Sequence, residues 1–198
     1  MPDKFLNKFR IESSRLKEWN YSYPAAYYIT ICTHNRQHYF GEIHEEKMSL
    51  SSIGKIVEDE WRKTPEIRSD MNLELDEFVV MPNHFHGILI IGQNAFNKAI
   101  CADAMHGNSL HRRDAMHGVS TNTPNNKFAS QSKNLASIIR GFKSAVTSQV
   151  KKNGLEYAIG SISSPFAWHP RFYDHVIRNT ESLNRIRQYI IDNPKKWQ

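Results

Sequence analysis

The chain has 198 residues, 39% of them hydrophobic and 23% charged, enough for one domain with a buried core. No apolar run approaches the ~18 residues of a membrane span, and the N-terminal "MPDKFLNKFR" lacks the apolar stretch of a secretory signal. Two cysteines, Cys32 and Cys101, have neither metal nor redox spacing, which fits free thiols in a reducing cytoplasm. The net charge of +6 is unevenly placed: from Lys133 onward eleven Lys and Arg face four acids, a local +7, and the first 132 residues sum to −1. A basic final third is the electrostatic footprint expected of a polyanion binder.

In chain order, "AAYYITICTHN" (25–35) is rich in aromatic and β-branched residues and predicts a strand, followed by the polar loop "THNRQHYFGEI". In "MSLSSIGKIVEDEWRK", serines suited to an N-cap precede Ile53, Ile56, Val57 and Trp61 at helical spacing. "MNLELDEFVVM" and "FHGILIIG" read as two strands, and Pro82-Asn83 between them is turn chemistry, so they should form a hairpin. Residues 93–132 are polar and hold "DAMHG" twice, at Asp103–Gly107 and Asp114–Gly118, as expected of a mobile, expanded insertion. Its histidines, His106, His111 and His117, have no evident ligand partners. Next, Leu135, Ile138, Ile139, Phe142, Val146 and Val150 form one helical stripe ended by Asn153-Gly154. "PFAWHPRFYDHVI" reads as an edge strand. A last helix follows, with Thr180 as N-cap, Leu183, Ile186, Ile190 and Ile191 as its stripe and Pro194 as its close.

The order strand, helix, strand, strand, helix, strand is the split βαβ arrangement. It implies an α+β, ferredoxin-like antiparallel sheet with helices on one face, plus an extra C-terminal helix, in a single domain over 1–198. Such a fold does not by itself define an activity.

"VVMPNHFHGILII" carries the chemical signal. His84 and His86 alternate with Phe85, so on a strand both imidazoles share one face and Phe85 points to the other. Two half-exposed histidines at a strand start are the commoner meaning of such a pair. Two neutral imidazoles side by side also make half of a divalent-metal site. In the last helix, Tyr189 and Asn193 lie one turn apart and Arg185 one turn before Tyr189. A phenol beside an amide oxygen and a guanidinium suits metal-assisted tyrosine attack on a phosphodiester, although an aromatic packed on the sheet would show the same spacing. Tyr173, beside Asp174 and His175, is the second candidate nucleophile.

"YYITICTHNRQHYFGEI", "VVMPNHFHGILI", "SIIRGFKSAVT", "WHPRFYDHVIR" and "YIIDNP" together resemble the single-tyrosine HUH transposases, above all the REP-associated tyrosine transposases of bacteria. The resemblance covers most of the chain outside 93–132 and the far N-terminus. It implies that His84 and His86 hold one Mg or Mn ion and that Tyr189 attacks single-stranded or hairpin DNA. The expected products are a 5′-phosphotyrosine link and a free 3′ hydroxyl. Relatives often place a glutamine as third ligand where this chain has the shorter Asn193. Lys133, Arg140, Lys143, Arg171, Arg178 and Arg185 are the expected DNA contacts, with Trp168, Phe172 or Tyr173 stacking on bases. Family members include monomers and homodimers, and the sequence leaves both open. A bacterial, cytoplasmic, nucleoid-associated enzyme is expected. An inactive hairpin-DNA-binding regulator and a metal-dependent single-strand endonuclease are the alternatives.

Overall fold

The computed structural model describes residues 4–5, 8–9, 16, 19–98, 132–157 and 165–197. The repeat-bearing stretch and its three histidines lie outside the described residues. Four strands form the main sheet: β3 (Ala25–Cys32), β6 (Leu73–Met81), β7 (His84–Ile91) and β8 (Tyr173–Ile177). Their spatial order is β6-β7-β3-β8, with every neighbouring pair antiparallel. Helix α1 (Ser52–Ile67) links β3 to β6 and helix α2 (Leu135–Lys152) stands between β7 and β8, giving the ferredoxin-like arrangement expected from the element order. Two short ladders accompany the sheet: β1 (Lys4–Phe5) with β2 (Lys8–Phe9), and β4 (Gly41–His44) with β5 (Lys47–Leu50). The β4–β5 hairpin is absent from the sequence reading. Its turn uses Glu45 (φ 48) and Glu46 (φ 62), residues that rarely adopt positive φ, so the usual Asn-Gly signal is missing.

Period-2 alternation sorts the sheet into two faces. Tyr27, Ile29 and Ile31 of β3 and Phe85, Leu89 and Ile91 of β7 enter the main core beneath α1 and α2. Ile53, Val57 and Trp61 meet them from α1, and the α2 stripe is buried throughout as its spacing predicts. Ser51 caps α1 by accepting from the Gly54 N–H, and Asn134 with Ser137 forms a capping box on α2. Gly154, at φ 65, takes the left-handed position after α2.

The opposite face carries helix α3 (Thr180–Ile191). Its Ile190 packs with Ile88 and Ile177, flanked by Leu183, Ile186, Tyr28 and Val79. Two sequence expectations change here. The N-cap is Asn179, whose side chain accepts from the Ser182 N–H, with Thr180 already helical. Ile191 is exposed, because one step past Ile190 turns it off the packed stripe. Pro194 opens a short 3-10 turn, Pro194–Lys196, after the helix has ended.

Candidate active site

The Pro82-Asn83 turn is tied firmly to the end of β3. Asn83 O accepts from the Thr33 N–H at 2.9 Å and the Thr33 hydroxyl at 3.0 Å, and Pro82 O accepts from the Phe40 N–H at 3.0 Å. This anchored turn sets where β7 begins and therefore where its histidines project. His84 and His86 stand on the α3 side with ring centroids 4.5 Å apart. Phe85 points the other way, into the core, its ring 4.7 Å from that of Trp61.

Each imidazole has one nitrogen engaged by a neighbour. His84 Nδ1 lies 2.8 Å from Asn83 Oδ1. His86 Nδ1 lies 2.8 Å from the Tyr28 hydroxyl and 2.9 Å from the Thr30 hydroxyl. Burial, then the positive charge of Arg36, pushes the His84 pKa down to about 4, with the neighbouring Asn193 amide opposing the shift. Burial, then the neighbouring His84, pushes His86 down to about 3. Both rings are therefore neutral at pH 7.

Helix α3 brings Tyr189 to the same place. It immediately precedes the buried Ile190, so its ring lies at the border of the apolar stripe, 43% exposed. The ring is 5.5 Å from His86 and 6.3 Å from Tyr28, edge-on to both. Asn193, just beyond the helix, is buried and lies beside His84. Trp197 completes the rim, its indole 5.8 Å from His84 and 5.6 Å from His38. On the far side of α3, Arg187 grips Asp76 with Nε 2.9 Å from Oδ1 and Nη2 2.5 Å from Oδ2. Asp76 is presented by a β-bulge between Leu75 and Phe78 in β6.

Tyr173 also reaches this face, half-exposed, with its ring 6.4 Å from Tyr28. Asp174 is buried on the opposite side of β8 and His175 is exposed, so the three do not line up as a nucleophile with its base. The predicted DNA contacts are spread more widely. Lys143 is near the end of β3, where burial lowers its pKa and its Nζ donates to His169 O at 2.6 Å. Trp168 packs against Phe40 and Phe166, each at 5.3 Å, and its Nε1 donates to Lys143 O, so it serves the core more than an open stacking surface. Arg171, Arg178 and Arg185 are exposed around β8 and α3, and Arg140 is exposed on α2. Lys133 lies at the start of α2, by the opposite end of the sheet, paired with Asp70 and 4.2 Å above the Phe96 ring.

The sequence reading missed Tyr28, Thr30, Asn83 and Arg36. The first two were findable: they interrupt the apolar Tyr27, Ile29, Ile31 series at the same period of two as the histidines. The donor set fits a divalent cation. Two neutral imidazoles with a supporting partner each, beside a buried amide, leave coordination positions for phosphate oxygens. Among the described residues, no group of three or more His, Cys, Asp or Glu forms.

No family model matches the chain. An uncharacterized protein of Haemophilus influenzae is 31% identical over 186 residues, covering 94% of this chain and 89% of its own length. The chain belongs to the same family as that protein. Among solved structures, a REP-associated tyrosine transposase bound to a REP hairpin aligns with a TM-score of 0.52 at 18% identity. The alignment covers 94% of this chain and 74% of that one. The chain shares the tyrosine transposase fold. Among its described residues, no helix is long and apolar enough to cross a membrane.

Proposed function

We propose that the protein is a DNA strand-transfer enzyme of the transposase kind, acting on single-stranded or hairpin DNA with Tyr189 as nucleophile. One observation carries this reading: Tyr189, His84, His86 and Asn193 of a single chain converge, with the Tyr189 ring 5.5 Å from His86. Tyr173 is the weaker nucleophile because it approaches the histidines only across Tyr28. The fold shared with a hairpin-bound tyrosine transposase and the basic final third of the chain both favour a DNA substrate.

His84, His86 and Asn193 would hold a Mg or Mn ion, whose chemistry there is to polarise a phosphoryl oxygen and offset its charge. The chain supplies the rest. Tyr189 Oη forms a bond to phosphorus and the bond from phosphorus to the 3′ oxygen breaks. The electron pair leaves with the 3′ oxygen, which ends as a hydroxyl, and Tyr189 Oη has lost its proton. The product is a 5′-phosphotyrosine ester, so the bond energy is kept and the step can run backwards onto a new 3′ hydroxyl. Arg185, one turn before Tyr189, and the exposed Arg171 and Arg178 would hold flanking phosphates. Because Tyr189 meets the histidines of its own chain, catalysis in this arrangement needs no exchange of α3 between two copies.

The test is denaturing electrophoresis of labelled single-stranded oligonucleotides from the flanks of the gene, with Mn and with chelator. The wild type should form a covalent protein–DNA adduct only with metal. Tyr189→Phe should bind the hairpin but form none, and Tyr173→Phe should still form it. An adduct that survives Tyr189→Phe removes Tyr189 as nucleophile. Cleavage without an adduct makes the protein a hydrolytic endonuclease, and binding with neither makes it a hairpin-binding regulator.

A further inference from the structure

Tyr28 takes no part in that bond exchange, yet it touches both His86 and Tyr189. Its hydroxyl lies 2.8 Å from His86 Nδ1, and its ring stacks on that imidazole at 5.5 Å and 24°. The Tyr189 ring meets it edge-on at 6.3 Å, and the two phenols interact electrostatically. We propose that Tyr28 is a positioning residue: its hydroxyl links the His86 imidazole to the Tyr189 oxygen and fixes the aim of the nucleophile. This rests on the assignment of Tyr189 as nucleophile.

The direction of the hydrogen bonds follows from the ring chemistry. An imidazole offering its Nε2 lone pair to a cation carries its proton on Nδ1. Nδ1–H is then a donor, and the oxygen it meets on Tyr28 is an acceptor. The hydroxyl hydrogen of Tyr28 is thereby left to point at Tyr189 Oη. Such a donor occupies one lone pair of that oxygen and orients another toward phosphorus. It also steadies the negative charge on Tyr189 Oη when the phosphotyrosine ester is broken in the reverse step. Thr30 supplies a natural control. Its hydroxyl is 2.9 Å from the same His86 nitrogen, so it can hold the imidazole as Tyr28 does. Among the described residues no hydrogen bond joins Thr30 to Tyr189, although the Thr30 hydroxyl also acts on that of Tyr28.

The experiment compares Tyr28→Phe with Thr30→Val in the full chain, using Mn and a labelled hairpin oligonucleotide from the flank of the gene. At saturating Mn, Tyr28→Phe should slow single-turnover adduct formation by roughly 10- to 100-fold. Hairpin affinity and melting temperature should stay at wild-type values. Thr30→Val should weaken Mn binding, read by calorimetry, but recover its adduct rate once Mn is saturating. A readout independent of turnover is the Cζ resonance of Tyr189 in 13C-tyrosine-labelled protein without DNA. It should move farther in Tyr28→Phe than in Thr30→Val. An unchanged adduct rate for Tyr28→Phe at saturating Mn, or an unmoved Tyr189 resonance, overturns the proposal. If the wild type itself forms no adduct, the strand-transfer reading has failed, and the resonance alone decides whether Tyr28 holds Tyr189.

Discussion

The two faces of one sheet do opposite work. On β3 and β7 the odd-numbered residues Tyr27, Ile29, Ile31, Phe85 and Leu89 belong to a core of 21 buried side chains among the described residues. The even-numbered Tyr28, Thr30, His84 and His86 line the site, and beside them only Ile88, Ile177 and Ile190 form a buried apolar cluster. The same strands thus carry the main core on one side and a cluster of polar and aromatic groups on the other. On the second face, the shorter apolar contact of α3 leaves room for imidazoles and phenols. The large core can hold the sheet rigid while the histidine pair stays partly desolvated, which keeps it neutral.

Four experiments would break or sharpen this contrast. The largest effect should come from Trp61→Ala, which empties the space between Phe85 and Phe142. A loss of about 3–5 kcal/mol is expected in urea unfolding. A loss below that of a surface substitution would mean that the first face is not the main source of stability. Next, Mn at about 100 times its Kd should add about 2.7 kcal/mol to the wild type and nothing to His84→Ala. Equal stabilisation of both proteins would place the ion elsewhere. Third, Gly87→Ala should destabilise by about 1–3 kcal/mol, because a Cβ there would come within 2.8 Å of the Phe85 ring. A wild-type unfolding midpoint would show that the Phe85 ring can give way.

The smallest effect concerns the attachment of α3. Arg187 beside Asp76 holds that carboxyl below its usual range, more than offsetting its partial burial. A carboxyl depressed in the folded state stabilises above its unfolded pKa, and that contribution fades as pH falls through the folded value. Asp76→Asn should therefore be less stable than wild type near pH 7 and converge with it only once pH has fallen below the depressed folded pKa of Asp76. Amide exchange in α3 should quicken in the variant at neutral pH. Parallel unfolding curves at both pH values would show that the ion pair does not help dock the helix.

Much of the fold was legible because periodicity survives in single stretches. The α2 stripe from Leu135 to Val150 and the alternation around Phe85 state their own faces, and Pro82-Asn83 states its turn. The β4–β5 hairpin was not legible, since Glu45 and Glu46 adopt positive φ only under the constraint of the strands they join. The bulge at Asp76 was hidden for a similar reason: an extra residue in a strand shows only against its partner. In the site, the spacing of His84 with His86 and of Tyr189 with Asn193 could be read directly. Tyr28 and Thr30 looked like ordinary strand residues until β3 was paired with β7.

By itself the sequence determined what lies near in the chain: which residues share a strand face or a helix turn, because those periods follow from backbone geometry alone. Only the tertiary structure decided that α3 docks on the histidine face rather than joining α1 and α2. That choice depends on Ile190 meeting Ile88 and Ile177, and on Arg187 reaching Asp76 more than a hundred positions earlier. No local period encodes such a meeting. It arises when surfaces distant in the chain bury each other, and it brings Tyr189 to His86.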